Sequence, residues 1–509
     1  MMKRAAAAVL AMAFARSVHA SDDEHHSHPA PEQLGRVTFA TSCTSAVKPA
    51  FERALALLHS FAYTASEHAF RDVAGRDPGC AIAHWGIAMS LFHQLWEPPS
   101  GDELREGAEQ IRTAVEIRAD SLRERQFIEA LDTYYRDPDQ EAPAARVERY
   151  ARAMADVARN NSRDAEAQIF YALALIATAP PADKAHRNQK RAAEILEPIF
   201  RLQPQHPGLA HYLIHAYDSA ELAPKGLAAA RAYSKIAPSA PHALHMPSHI
   251  FTRLGLWDDS IASNQAARAA AHMQGDLGEE LHAMDYLTYA YLQRGRYADA
   301  EHVVADLRLM KDPPSTQFIA TYAATAMSAR LAIEHHDWDS AASLDPLPQS
   351  APQVVALVYW ARALGQARAG HPRSSDADVG KLQACLSELK SAGNLYWATQ
   401  VDVLIKEAQA WGLATDGDAE AAVLSLRTAA DEEDAVEKLP LTPGPIVPAR
   451  EQLGELFLNL NRPDEALREF RTALLLAPRR RGALVGAITA AERLGNIQAA
   501  AQLRAELTQ

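Results

Sequence analysis

The sequence predicts an all-α protein in which helix pairs stack into a right-handed superhelical solenoid. Alanine and leucine are abundant in the 509 residues and aromatic residues make up only 7%, a composition that favours helices over strands. The chain is too long for one compact core. Similar helical segments also recur along the chain, as in repeat proteins. Together these observations indicate an extended array of helical repeats.

The N-terminal residues precede the predicted array. Residues 1–20 have the pattern of a secretory signal peptide: a positive start, an apolar stretch, and Val18-His19-Ala20 as the cleavage site. We therefore expect an exported protein, periplasmic or secreted. Residues 21–46 begin with acidic residues and histidines, and we predict that they form a disordered tail.

The chain has three cysteines, which are Cys43, Cys80 and Cys385. An oxidising compartment permits one disulfide and leaves one thiol. A bond between Cys43 and Cys80 would tie the tail to the first helix pair. The alternative is that Cys80 is a small buried hydrophobic residue. The sequence leaves both alternatives open.

The clearest repeat lies near the C-terminus and starts at Val447. Counting Val447 as position 1, Gly454 and Ala466 fall at positions 8 and 20, where small residues let two helices cross closely. Phe470 falls at position 24, and Pro478 at position 32 ends the second helix. This unit resembles the tetratricopeptide repeat (TPR). Together with the leader, the resemblance implies an exported, bacterial-type TPR protein.

The same spacing fits other parts of the chain more loosely, in units that start at Val47, Pro207, Pro241 and Leu281. We therefore expect an N-terminal TPR-like array with a histidine-lined groove over residues 47–345. Residues 346–509 are predicted to form helical hairpins that end in the clear TPR at 447–480. The proline-rich segment 438–448 should run across the surface before this last repeat.

In the TPR family, positions 2, 5, 9, 12 and 13 of each first helix line the concave groove. Applied to three successive units, the resemblance places eight polar residues there: His211, His215, Asp218, His242, His245, His249, His282 and Asp285. Side chains three or four residues apart share a helix face and can bind one metal ion. We predict a metal site formed by the six histidines and Asp285. Imidazole and carboxylate ligands without thiolate suit Zn, Cu, Ni or Fe.

The cluster permits other interpretations. An anion could be held by histidines that are protonated or that donate hydrogen bonds, or the histidines could form a purely structural polar seam. As a binding protein, the chain would hold a metal or small ligand, and a protein or peptide partner, in the groove. As a metal-dependent enzyme, it would use Asp218 or Asp285 to activate water or to orient the substrate. A pure protein–protein interaction scaffold is the third alternative.

Pro247 lies inside the predicted first helix of the middle unit. The residue before a proline is disfavoured in the α region, so Met246 should avoid it. Either the helix kinks there, or a new helix starts at Pro247. In the second case, the TPR assignment of first-helix positions to the groove would not apply to His242 and His245.

The net charge and the hydropathy of the chain argue against a nucleic-acid partner and against a membrane span. The formal net charge is −13, which repels phosphate backbones, so we expect no nucleic-acid partner. Beyond the leader, no apolar run reaches the length of about 18 residues that a membrane helix needs, so the chain is not expected to span a membrane.

Overall fold

The computed structural model describes residues 32–95, 98–137, 141–310 and 317–508, and every regular element in these ranges is a helix. The predicted leader, residues 1–20, lies outside them. The first half of the chain contains α1 (Lys48–His59), α2 (Tyr63–Arg76), α3 (Ala81–Phe92), α4 (Gly101–Ile117), α5 (Leu122–Tyr135), α6 (Pro143–Asn160), α7 (Ala165–Ala177), α8 (Arg187–Leu202), α9 (Pro207–Tyr217), α10 (Ala223–Ile236), α11 (Pro241–His245), α12 (Pro247–Arg253) and α13 (Trp257–Gln274). The second half contains α14 (Leu277–Gln293), α15 (Tyr297–Leu309), α16 (Phe318–Glu334), α17 (Trp338–Ala342), α18 (Pro352–Arg368), α19 (Pro372–Ser391), α20 (Leu395–Thr415), α21 (Ala419–Asp434), α22 (Ala449–Asn459), α23 (Pro463–Leu476), α24 (Arg481–Arg493) and α25 (Ile497–Thr508).

The helices form a chain of antiparallel pairs, in which each helix packs mainly on the next one in sequence. This arrangement confirms the predicted all-α solenoid of TPR-like helix pairs. Within the described ranges, none of the helices has the length and apolar character needed to cross a bilayer.

The last repeat shows why small residues are needed where two helices cross. The ring of Phe470 on α23 lies between Gly454 on α22 and Gly486 on α24. A Cβ atom would stand 2.9 Å from this ring at Gly454 and 2.2 Å from it at Gly486. Since the ring is held from both sides, it cannot move away from an added methyl group.

The C-terminal repeat contacts the middle of the array. The indole nitrogen of Trp257 donates to the carbonyl oxygen of Arg479 over 3.1 Å. The guanidinium of Arg480 is fully buried and lies 2.6 Å from Glu334 and 2.7 Å from Glu451. These contacts join elements that are far apart in sequence and enclose the groove between them.

Residues 435–448, which we call the strap, connect α21 to α22 and lie inside the groove. The prediction that the proline-rich segment runs across the surface is therefore wrong. The Tyr286 hydroxyl donates to the Pro440 carbonyl over 3.3 Å, and Arg330 donates to the Pro445 carbonyl over 3.0 Å. A proline-rich chain cannot form a helix, so its carbonyl groups accept hydrogen bonds from groove side chains instead.

The described part of the predicted tail, residues 32–46, packs against the array. Leu34, Val37 and Phe39 are buried, and Phe39 is 0% exposed. Residues 32–46 are thus ordered, contrary to the prediction, because their apolar side chains find a place between helices; residues 21–31 lie outside the described ranges. Cys43 and Cys80 form a disulfide, with Cα atoms 4.7 Å apart.

The packing around Phe470 leads to a stability prediction. We expect Gly486→Ala to lower the free energy of unfolding by about 1–3 kcal/mol, because the added methyl group overpacks a held ring. Gly380→Ala in α19 is the matched control, since a Cβ there meets nothing within 4 Å. This control should leave stability unchanged or raise it by up to about 1 kcal/mol. Urea denaturation measures both, and equal stability of the two variants would contradict the packing argument.

Candidate metal centre

The six predicted histidines lie on the first helices of three successive pairs. His211 and His215 are one turn apart on α9, and the other four are His242 and His245 on α11, His249 on α12 and His282 on α14. All six are buried, and the most accessible, His215, is only 7% exposed. The structure therefore brings the predicted histidines together in the interior of the groove.

Pro247 separates α11 from α12, so a new helix does start there. Met246 nevertheless has φ −53° and ψ −34°, which is the α region, so the prediction that it avoids this region is wrong. Its N–H group still donates to the His242 carbonyl over 2.9 Å. Because the backbone stays nearly helical across the break, His242 and His245 keep their places on the groove side.

The first triad consists of His211, His215 and His242. The Nε2 atom of His211 lies 3.1 Å from Nε2 of His215 and 3.2 Å from Nε2 of His242. Three imidazole nitrogens thus converge on one point. A metal ion that binds imidazole at about 2.0–2.1 Å fits between nitrogens this far apart.

The second triad consists of His245, His249 and His282. The Nε2 atoms of His245 and His249 are 3.0 Å apart, and the rings of His245 and His282 have centroids 4.3 Å apart. In each triad, one ligand atom from every histidine lies within 4.8 Å of the other two. The sequence predicted one set of ligands, and the structure divides it into two.

Hydrogen-bond acceptors behind the second triad determine where the imidazole protons lie. Nδ1 of His245 is 2.6 Å from Oδ1 of Asn264, whose own NH₂ group donates to the carbonyl of Ser260. Nδ1 of His249 is 3.0 Å from Oδ2 of Asp218. Since these oxygens accept, both Nδ1 atoms carry the proton in the neutral rings, and both Nε2 atoms present lone pairs.

The first triad has similar outer partners. Nδ1 of His211 donates to the carbonyl oxygen of His59 over 2.7 Å, so its Nε2 also presents a lone pair. Nδ1 of His242 is 2.9 Å from Oε1 of Glu279. Outer oxygens of this kind orient metal-binding histidines and raise their basicity.

Burial keeps the imidazoles neutral. It lowers the pKa of His215 and of His242 to about 3 and that of His245 to about 4. Burial, together with the neighbouring imidazoles, also places the pKa values of His211 and His282 well below the usual range. Neutral imidazoles are the form that binds metal.

Asp218 stands behind the second triad as a hydrogen-bond acceptor. Its carboxylate also pairs with Arg253 at 2.8 Å and with Lys438 of the strap at 3.1 Å. Burial alone would raise the pKa of Asp218, but Lys438 and Arg253 hold it well below its usual range. A carboxylate engaged in this way positions His249 and does not itself point at the triads' shared space.

Asp285 does not join either triad. It is 0% exposed, and its Oδ1 atom faces Arg330 at 3.4 Å. Burial raises the pKa of Asp285 to about 6, against the effect of Arg330. Its predicted role as a metal ligand finds no support in this geometry, because the guanidinium of Arg330 attracts the carboxylate.

Three other residues around the triads were not predicted from the sequence. Asn264 comes from α13, a second helix, to which the TPR assignment of first-helix positions to the groove does not apply. Glu279 lies three residues before His282 on α14, a spacing that could have suggested it. Phe61 has a positive φ of 55°, and its ring centroid lies 4.3 Å from that of His211.

A third buried group contains His59, Glu166 and His206. The two carboxylate oxygens of Glu166 lie 3.0 Å from Nε2 of His59 and 2.9 Å from Nε2 of His206. The Tyr212 hydroxyl is 2.9 Å from the other nitrogen of His59. Hydrogen bonds with Glu166 and Tyr212 thus engage both ring nitrogens of His59, whose backbone carbonyl orients His211.

A cavity of about 300 Å³ lies beside the first triad. His215, Asp218 and Lys438 line its inner end, and the remainder of its wall is mostly apolar, with Tyr134 and Ile176 as examples. A small molecule in this cavity would be next to the imidazole of His215.

No protein-family description matches this chain, and no curated protein is similar to it in sequence. Among solved structures, a human IFIT1 dimer with m7Gppp-AAAA has 11% identity and a TM-score of 0.42, over 84% of this chain and 89% of that chain. A human IFIT1 dimer with PPP-AAAA has 12% identity and a TM-score of 0.41, over 84% and 90%. Similarity this low does not indicate a shared ligand.

The buried neutral histidines should make stability depend on pH. Each has a folded pKa below its unfolded value of about 6.5, so the unfolded chain binds more protons below that pH. For the metal-free protein, we expect the free energy of unfolding to fall from pH 7 to pH 5.5, by up to about 1.4 kcal/mol per pH unit for each histidine.

Urea denaturation in EDTA measures this effect. The double variant H215N/H242N should show a shallower pH dependence than the wild type, whereas H302N, at a histidine whose side chain is 78% exposed, should not. Identical slopes for all three proteins would show that the triads do not titrate in this way.

Proposed function

We propose that this protein is an exported, TPR-like binding protein that holds transition-metal ions with its two histidine triads. One observation carries the proposal: Nε2 of His245 and Nε2 of His249 face each other at 3.0 Å. The acceptors Asn264 and Asp218 take the proton of each ring on the opposite side. Two facing lone pairs repel each other. A cation bound by both nitrogens would replace this repulsion with two metal–nitrogen bonds.

The same geometry disfavours the other interpretations of the cluster. An anion would need protonated imidazoles, and burial opposes the charged form. A structural polar seam would pair donors with acceptors, as the group around Glu166 does. In the second triad, by contrast, the acceptor nitrogens Nε2 of His245 and Nε2 of His249 face each other. Ligand sets made of imidazole suit copper and zinc, and copper(II) binds most tightly among the divalent ions of this series.

Export is supported by two observations. The first 20 residues have the pattern of a leader, and Cys43 is bonded to Cys80. Disulfides persist mainly in oxidising compartments such as the periplasm or the extracellular space. The strap fills the groove beside the triads, so a protein or peptide partner would bind to other repeats of the array.

Metal content tests the proposal. Untagged protein is loaded with copper(II) sulfate or zinc sulfate, dialysed and measured by elemental analysis. The wild type should retain metal, and H211N/H249N, which removes one ligand from each triad, should retain at least about tenfold less. H84N is the control, because the half-buried His84 bonds to Gln110 and lies outside both triads. Loss of metal from the wild type on dialysis, or equal retention by H211N/H249N, would contradict the proposal.

A metal-dependent enzyme is the second candidate function. The cavity beside His215 favours it, because three imidazoles leave a coordination position open for a ligand, as in catalytic sites. Asp218 would then orient His249 and, through it, the metal.

Azide binding tests for an open position. Azide should change the visible absorption of the copper(II)-loaded wild type. Ala179→Trp, which narrows the cavity, should weaken azide binding about tenfold and leave copper content unchanged. Ala228→Trp, on an exposed face of α10, is the control for a bulky substitution and should bind azide like the wild type. A spectrum insensitive to azide in the wild type would indicate a closed binding site.

A further inference from the structure

The two triads are separate sets of ligands that lie side by side. Within the first triad, the ring centroids of His211 lie 4.8 Å from His215 and 4.9 Å from His242. Between the triads, the ring centroids are 6.1 Å apart for His242 and His245 and 6.2 Å apart for His215 and His249, similar to the 6.3 Å between His249 and His282 within the second triad. The ligand atoms make the division: within each triad, one nitrogen of every histidine lies within 4.8 Å of the other two.

A single ion cannot use all six imidazoles. An ion binds imidazole at about 2.0–2.1 Å and, in a tetrahedral site, takes four ligands. Each triad already gathers its own nitrogens within 4.8 Å of one another, as one ion requires. A single ion would therefore leave at least two of the six imidazoles without a bond to metal.

Each triad also has its own outer carboxylate. Glu279 lies behind His242 of the first triad, and Asp218 lies behind His249 of the second. A buried dication needs negative charge nearby, and a carboxylate behind a histidine of each triad is placed to supply it once the ion is bound. Burial raises the pKa of the metal-free Glu279 carboxyl to about 7, and a nearby dication would favour its charged form.

We propose that the protein binds two transition-metal ions per chain, one in each triad, as a dinuclear centre. The inference rests on the proposed function and extends it. Ions held by the two triads would be neighbours, because the rings of His242 and His245, one from each triad, have centroids 6.1 Å apart. The cavity beside His215 would admit a small ligand to the pair.

Stoichiometry tests the inference with copper(II) as the probe. The wild type should retain two copper ions per chain after dialysis. H211N/H215N removes most of the first triad and H245N/H249N most of the second, and each should retain one. H84N should retain two, as the histidine control outside both triads. Circular dichroism melting curves establish that each variant folds.

The outcomes separate the inference from the proposed function. One copper in the wild type, lost in both double variants, would overturn the dinuclear centre and leave metal binding intact. No copper in the wild type would overturn both.

Electron paramagnetic resonance of the wild type gives a second test that needs no variant. At one equivalent or more of copper, ions in adjacent triads should couple, so the signal per copper should fall as the second site fills. The single-site variants should give the full signal of an isolated ion. An unchanged signal per copper up to two equivalents would show that the ions are not neighbours.

Discussion

The centre depends on oxygen acceptors that stand behind the imidazoles and hold their protons. The Asn264 amide oxygen and the Asp218 carboxylate each take an Nδ1 proton, and the carbonyl of His59 does the same for the first triad. Without these acceptors, one ring could donate to the next, and the cluster would close on itself as an ordinary hydrogen-bonded network. With them, the lone pairs on Nε2 of His245 and Nε2 of His249 face each other, an arrangement that a cation would stabilise.

The helical array supplies the rigidity that such convergence requires. Successive first helices lie side by side, so histidines from three repeats reach a common region although they are spread from residue 211 to residue 282. The strap closes the groove over the second triad, where Lys438 pairs with Asp218. The last repeat, through Arg480, holds the middle of the array from the other side. Burial of the ring nitrogens therefore results from contacts between distant parts of the chain.

Burial keeps the six imidazoles neutral, but it also costs free energy. Six imidazoles removed from water lose hydration, and each opposes protonation of its neighbours. A bound ion would return this free energy, since a ligand that binds only the folded chain stabilises it. The disulfide between Cys43 and Cys80 and the packed segment of residues 32–46 add stability from outside the groove. The proposed metal binding would thus be linked to folding through the same side chains.

The sequence alone determined the helical repeat class and the six histidines that share the groove. Both are local properties: spacings of three and four residues place side chains on one helix face, and the repeat sets the faces in phase. Only the tertiary structure decided that the histidines form two triads, because this depends on how successive helices are rotated. Asp218 and Asp285 look alike in sequence, but the tertiary structure gives them different surroundings. Asp218 pairs with Lys438 and Arg253 and lies behind His249, whereas Asp285 pairs with Arg330 and joins neither triad. These cations come from other helices and the strap, so the sequence alone could not predict the difference.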